Sequence, residues 1–205
     1  MEGIFITMEG PDGSGKSTIT KLLTNYLKEK GYNIVITREP GGTELSEIIR
    51  NVVLDTKNTN MSPVTEALLY AASRAQHVEE KILPALKKGK IVISERFVDS
   101  SLVYQGIARN IGIDKVKNIN DFATQNIEPD LTLFFDIKPE DAFKRMARRG
   151  KKDRLEMESI DFHNEVYDGY IELSKKYPQR IKIIDATKDI EEVFQQVKNK
   201  IDLLL

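Results

Sequence analysis

The sequence predicts an α/β fold in which a parallel sheet is covered by helices on both faces. Short β-rich apolar runs recur along the chain, segments with helical spacing separate them, and a glycine-rich loop follows the first run directly. The runs are apolar on successive residues rather than on alternate ones, as parallel strands buried on both sides require. The first, Ile4 to Met8, leads through the loop into an apolar helix over Ile19 to Leu27. The second, Asn33 to Thr37, precedes a polar loop from Asp55 to Pro63. Ser62 and Pro63 read as an N-cap and a first-turn proline, opening a long helix with an apolar stripe of Leu68, Ala71, Ala72, Ala75, Val78 and Ile82. Ile91 to Ser94 and Leu131 to Asp136 form the third and fourth runs. After them, Arg148, Arg149, Lys151, Lys152 and Arg154 crowd around Gly150 in a basic segment, residues 147–154. The last run, Ile181 to Asp185, precedes a closing helix expected to bury Ile190, Val193, Phe194, Val197 and Ile201.

Composition narrows the function classes. A chain of 205 residues fits one domain, and 40% hydrophobic against 31% charged residues is an ordinary globular balance. Lys and Arg total 31 against 32 for Asp and Glu, so bulk charge gives no reason to bind nucleic acid or an anionic membrane. The absence of cysteine excludes disulfides, thiolate metal sites and cysteine nucleophiles. The start of the chain lacks a basic region and its apolar stretch ends at Glu9, unlike a signal peptide. No window is apolar enough for a membrane span, so the expectation is a soluble, cytoplasmic protein.

Gly10-Pro11-Asp12-Gly13-Ser14-Gly15-Lys16-Ser17, flanked by Thr18, matches the phosphate-loop pattern between a strand and a helix. Glycines let successive backbone N–H groups turn inward, and the positive end of the following helix adds to the attraction for a triphosphate. Lys16 supplies a mobile cation, and the Ser17 hydroxyl is a candidate Mg²⁺ ligand. A nucleoside triphosphate is therefore the expected ligand. Asn199-Lys200-Ile201-Asp202 spells a guanine-reading motif, but it lies in the closing amphipathic helix, where no loop follows to form a base pocket.

Further polar clusters suggest an acceptor pocket. Thr37-Arg38-Glu39-Pro40-Gly41-Gly42 sits at the end of the second strand, where open α/β sheets place ligands. Tyr70 and Arg74 are one helical turn apart and can converge on a planar ligand. At the end of the third strand, Glu95 can orient metal-bound water and Arg96 can clamp phosphate. Ser101 and Gln105 would share a helical face and suit the edge of a nucleobase. On charge alone the basic segment at residues 147–154 is a solvated loop, but its position after the fourth strand favours a closing segment. The loop Asp185 to Lys188 is a candidate for holding adenine, and His77 and His163 are expected at the surface or its boundary without a chemical role.

Taken together, the phosphate loop, Thr37 to Gly42, Ala71-Ala72-Ser73-Arg74, Asp99-Ser100-Ser101 with Tyr104-Gln105-Gly106, and Asp153-Arg154-Leu155-Glu156 resemble the bacterial thymidylate kinases over most of the chain. The resemblance implies a single P-loop NTPase domain, a five-stranded parallel sheet flanked by helices on both faces, with a short LID segment at about residues 147–155. It also implies Mg²⁺ dependence, ATP as donor, dTMP as acceptor and a homodimer. It puts Tyr70 against the thymine ring, with Arg74, Ser101 and Gln105 at its polar edge, and Tyr104 near the sugar C2′. Glu9 would lie near the acceptor phosphate and the metal; Arg38, Arg50 and Arg96 would surround that phosphate, and Glu39 would orient its neighbours. Ser17 and Glu95 are the expected metal-side residues, and Lys16, Arg96, Arg149 and Arg154 the catalytic cations, with Arg148 a further LID candidate. Two departures stand out. Glu95-Arg96-Phe97 replaces the usual Asp-Arg-Tyr, and Gly13 stands where some members carry a catalytic arginine, so the LID would supply that arginine. Glu-Arg at this position is similar to deoxynucleoside kinases of related fold, the nearest rival; a noncatalytic ATP-binding regulator is a third reading.

Overall fold

In the computed structural model, which describes residues 3–146 and 152–205, five strands form one parallel sheet in the order β2-β3-β1-β4-β5. These are β1 Ile4–Glu9, β2 Ile34–Arg38, β3 Ile91–Glu95, β4 Leu131–Asp136 and β5 Ile181–Asp185. All five runs expected from the sequence are strands, with ends shifted by at most one residue. β1 lies at the centre, pairing Met8 with Glu95 of β3 and with Leu133 of β4. The neighbouring register pairs Arg38 with Glu95, so the C-terminal ends of β1, β2 and β3 finish side by side.

Alternation through the sheet divides the core. Ile6, Met8, Leu133 and Phe135 pack with Ile19, Leu23 and Leu27 of α1 (Lys16–Glu29) and with Val193, Val197 and Ile201 of α9 (Ile190–Asp202). On the other face, Phe134 packs with Val166, Tyr170 and Leu173 of α8 (Ile160–Lys176), while Phe5 and Val92 meet Val78, Ile82 and Phe97. The chain reaches this second face through α2 (Glu44–Leu54), α3 (Pro63–His77), a π-helical turn Val78–Ile82 and α4 (Leu83–Lys87). After β3 come a short α5 (Val98–Ser101), a π-helical turn Leu102–Ala108 and α6 (Ile113–Thr124); α7 (Pro139–Met146) follows β4. No helix among the described residues is long and apolar enough to cross a membrane.

Ser62 caps α3 by accepting from the Thr65 N–H, and Pro63 opens it, as the sequence predicts. Its apolar stripe requires correction. Ala71, Val78 and Ile82 are buried, but Leu68 is 51% exposed and Ala72 also faces solvent. The buried face also carries Glu66, Tyr70, Ser73, Arg74 and His77, and of these Glu66, Ser73, Arg74 and His77 bond to groups on neighbouring elements. Both histidines are likewise buried rather than at the surface, and in α9 Ile190 is exposed while the rest of its stripe packs inward. The segment Asn199 to Asp202 is helical, with Ile201 fully buried.

Candidate active site

The sharp turn after β1 depends on glycine at two points where the backbone has no room for a side chain. Gly10 has φ 135°, and a Cβ there would lie 2.8 Å from the Phe135 carbonyl oxygen. Gly13 has φ 83°, and a Cβ there would lie only 2.5 Å from the Ala142 carbonyl oxygen of α7. An arginine at position 13 would therefore force the loop and α7 apart, a physical reason for its absence. The loop ends at the N-terminus of α1, where Lys16 turns back and donates to the carbonyls of Gly10 and Pro11 at 2.9 and 2.7 Å. Burial, reinforced by the charge of Arg96, lowers the Lys16 pKa to about 8.

A cavity of about 430 Å³ extends from this loop across the ends of β1, β2 and β3. Asp12, Gly13, Gly15, Lys16, Ser17 and Thr18 line one side. Arg38, Glu39, Arg50, Tyr70 and Arg74 line the other, with Glu95, Arg96, Ser101, Tyr104 and Gln105 between. Glu9, Gly10, Pro11, Ser14 and Arg154, also expected at the site, do not line the cavity. The expected residues that do line the cavity come from five separate segments of the chain.

Ser17 Oγ donates to Glu95 Oε2 at 2.8 Å. A hydroxyl and a carboxylate at the phosphate loop are hard oxygen donors that suit Mg²⁺, which keeps several waters and substrate oxygens in its shell. Among the described residues no cluster of three or more His, Cys, Asp or Glu is built to hold a metal by protein groups alone.

Arg96 adopts φ 68°, the left-handed region that an arginine rarely occupies. That turn sends its guanidinium to Asp12 at 2.9 Å, to Ser100 Oγ at 3.2 Å and over the Tyr104 ring. Burial would raise the Asp12 carboxyl, but the charges of Arg96 and Lys16 outweigh it and hold the group at about 2. Burial likewise pushes the Tyr104 hydroxyl up to about 12. Glu9 is fully buried: Oε1 accepts from the Phe97 N–H at 2.7 Å, and Oε2 from Ser100 at 2.6 Å and Tyr170 at 2.8 Å. Desolvation, with the neighbouring Asp99 charge, raises its pKa.

At the far end of the cavity Arg74 is almost wholly fixed. Nε donates to Glu39 Oε2 at 2.7 Å, Nη1 to Ser101 at 2.9 Å and to Asn120, and Nη2 to the Phe97 carbonyl at 2.9 Å. The other Glu39 oxygen is 2.9 Å from His77 Nδ1, whose Nε2 is 2.6 Å from Thr37 Oγ1. His77 is therefore a buried brace for the arginine, a role that a helical histidine does not announce in sequence. Arg50 donates to the Pro40 carbonyl at 2.7 Å, and the exposed Arg38 pairs with the half-buried Glu47. Ser100, Arg145, Met146, Asp153, Leu155 and Glu156 also line the cavity, beyond the site residues expected from sequence. Arg145 reaches the carbonyls of Ala186 and Thr187, in the loop expected to hold adenine. Arg148 and Arg149 lie outside the described residues. Arg154, expected to act on the transferring phosphate, is instead buried with its guanidinium on Glu66 at 2.7 Å and the Val53 carbonyl at 2.8 Å.

A family model described as thymidylate kinase matches residues 8–197. The chain belongs to the thymidylate kinase family. It is 52% identical over 199 residues to the thymidylate kinase of Clostridium novyi (strain NT), covering 96% of this chain and 97% of that one. To the thymidylate kinase of Thermoanaerobacter sp. (strain X514) it is 55% identical over 197 residues, with 96% of each chain covered. The crystal structure of thymidylate kinase from Ehrlichia chaffeensis superposes with a TM-score of 0.80 at 33% identity, covering 98% of this chain and 99% of the other. Thymidylate kinase likeness thus extends through the whole sheet and both ends of the cavity.

Proposed function

We infer that the chain transfers the γ-phosphoryl group of Mg·ATP to dTMP, giving ADP and dTDP by direct in-line displacement. The observation that carries this reading is the single continuous cavity that joins the phosphate loop to the Tyr70, Arg74, Ser101 and Gln105 end. An acceptor phosphate is already ionised near neutral pH, so the nucleophile needs little help from a base; the obstacle is bringing two polyanions together. Lys16 and Arg96 stand where they can offset that repulsion, and Arg50 and Arg38 add positive charge beside the acceptor end. Mg²⁺ held at Ser17 and Glu95 with phosphate oxygens would neutralise charge on the donor. Asp12 keeps Arg96 turned toward the cavity, and Glu9, Ser100 and Tyr170 hold the backbone that presents it.

Arg149 is the LID arginine proposed to complete the cation set, while Arg154 in this arrangement anchors the returning chain through Glu66. Tyr70 offers its ring to thymine, and Tyr104 closes the space beside the sugar. A homodimer fits the apolar face left exposed on α2 and α3 by Leu45, Ile48, Val52, Val64 and Leu68. The deciding experiment is a coupled assay of ADP release with dTMP, dUMP and thymidine as acceptors. Acceptor-dependent release with dTMP and none with thymidine is expected. Turnover of thymidine in preference to dTMP would establish the deoxynucleoside kinase reading instead, and ADP release indifferent to acceptor would remove the kinase reading altogether.

A further inference from the structure

Behind the base end of the cavity, Glu66 of α3 is 1% exposed and receives side chains from three directions. Gln105 Nε2 donates to its Oε1 at 2.9 Å. Arg109 donates to both oxygens, at 3.3 and 3.1 Å, and Arg154 to Oε2 at 2.7 Å. Burial alone would raise this carboxyl, but the bonds from Arg109 and Gln105 and the nearby guanidinium charges outweigh it and lower its pKa. Glu66 is therefore ionised at neutral pH, and an ionised carboxylate only accepts hydrogen bonds.

That fact settles which way the Gln105 amide faces. Its NH₂ end must meet Glu66, which leaves the carbonyl end for the cavity that Gln105 lines; among the described residues Oε1 accepts no hydrogen bond. Arg74, which lines the same cavity, has committed four of its five N–H donors to Glu39, Ser101, Asn120 and the Phe97 carbonyl. The lining of the base end therefore includes one acceptor, on Gln105, and one uncommitted donor, on Arg74. Thymine and uracil present the complement, an N3–H beside the O4 acceptor. Cytosine presents the reverse, a bare N3 beside an amino group.

We propose that Glu66 is a positioning residue that fixes the polarity of the Gln105 amide and thereby makes the enzyme select a pyrimidine with a protonated N3 over one whose N3 is bare. The proposal rests on the dTMP kinase reading above. Glu66 does not line the cavity and acts only through Gln105. With Gln at position 66 the neighbouring group can donate as well as accept, so the Gln105 amide is free to turn over and offer its NH₂ to a cytosine N3.

The test compares dTMP with 5-methyl-dCMP, which keeps the methyl group and reverses the polar edge. In the wild-type enzyme kcat/KM favours dTMP. In Glu66→Gln that preference is expected to fall by roughly tenfold, mainly through a higher KM for dTMP with kcat within about threefold of wild type. Glu66→Asp keeps an acceptor-only carboxylate and is expected to recover most of the preference. Arg109→Gln removes a partner of Glu66 but leaves the Gln105 contact; it is expected to lower thermal stability with the preference intact. A Glu66→Gln enzyme that loses activity on both nucleotides equally, or keeps the wild-type ratio, overturns the proposal. If that variant does not fold, neutron diffraction from the wild-type dTMP complex decides: the NH₂ of Gln105 on Glu66 supports the proposal, and the NH₂ on the base refutes it. A wild-type enzyme that ignores dTMP brings down the kinase reading itself, whereas an unchanged ratio in an otherwise active Glu66→Gln enzyme removes only the role of Glu66.

Discussion

Lys16 shows how a single side chain in the phosphate loop turns burial into a pH response. With its pKa lowered to about 8 by desolvation and by Arg96, the lysine loses its charge across the mildly alkaline range. Because a neutral amine attracts a triphosphate poorly, kcat/KM for ATP is expected to decline above about pH 8, following one group in the free enzyme. A profile that stays flat to about pH 10, with buffer and ionic strength held constant, would contradict the assignment. Stability moves the other way. The unfolded chain binds the proton up to its ordinary value of 10.5, so between about 8 and 10.5 unfolding takes up a proton and this group's contribution to stability rises with pH. The lysine is legible in sequence because its chemistry follows from spacing. Glu66 and His77 are not, since a buried carboxylate and a buried histidine in a helix carry the same letters as solvated ones. Their partners lie 39, 43 and 88 residues away for Glu66, and 38 and 40 residues away for His77.

At the scale of elements, the strands can be read almost to the residue because parallel strands covered on both sides need continuous apolar runs bounded by polar residues. Helix α3 is legible only in part. Its caps are local chemistry and follow from the sequence; its inward face does not, because Glu66, Arg74 and His77 replace apolar residues there and depend on partners outside the helix. This polar inward face leaves Leu68 outside with Val64, beside Leu45, Ile48 and Val52 of the adjoining α2, each at least 42% exposed. Such a face is expected to be covered by a second copy of the chain through a two-fold contact. Ile48→Glu combined with Leu68→Glu should convert a dimer to monomers in sedimentation velocity. A wild-type protein that sediments as a monomer at micromolar concentration would reject that interface. Exposed Phe122 on α6 offers an independent position for the same experiment, since a glutamate there tests whether the contact extends across the third helix.

At the scale of the whole molecule, the two ends of the cavity should act as separate ligand sites on one folding unit. A ligand at about 100 times its Kd contributes about 2.7 kcal/mol to the native state, which for a chain of this size corresponds to a rise of roughly 5–10 °C in Tm. Mg·ATP and dTMP added singly are each expected to give a rise of that order in differential scanning calorimetry. Absence of any shift with dTMP at saturation would move the acceptor away from this cavity. The pairings of Met8 and of Arg38 with Glu95 also bear on how such a molecule can change over generations. One residue gained or lost inside β1, β2 or β3 would turn every later side chain of that strand to the opposite face and pull its reactive end out of line. Lineages carrying this sheet can therefore vary in length at the turn between Asp55 and Ser62, but along these three strands they can diverge only by exchanging one amino acid for another.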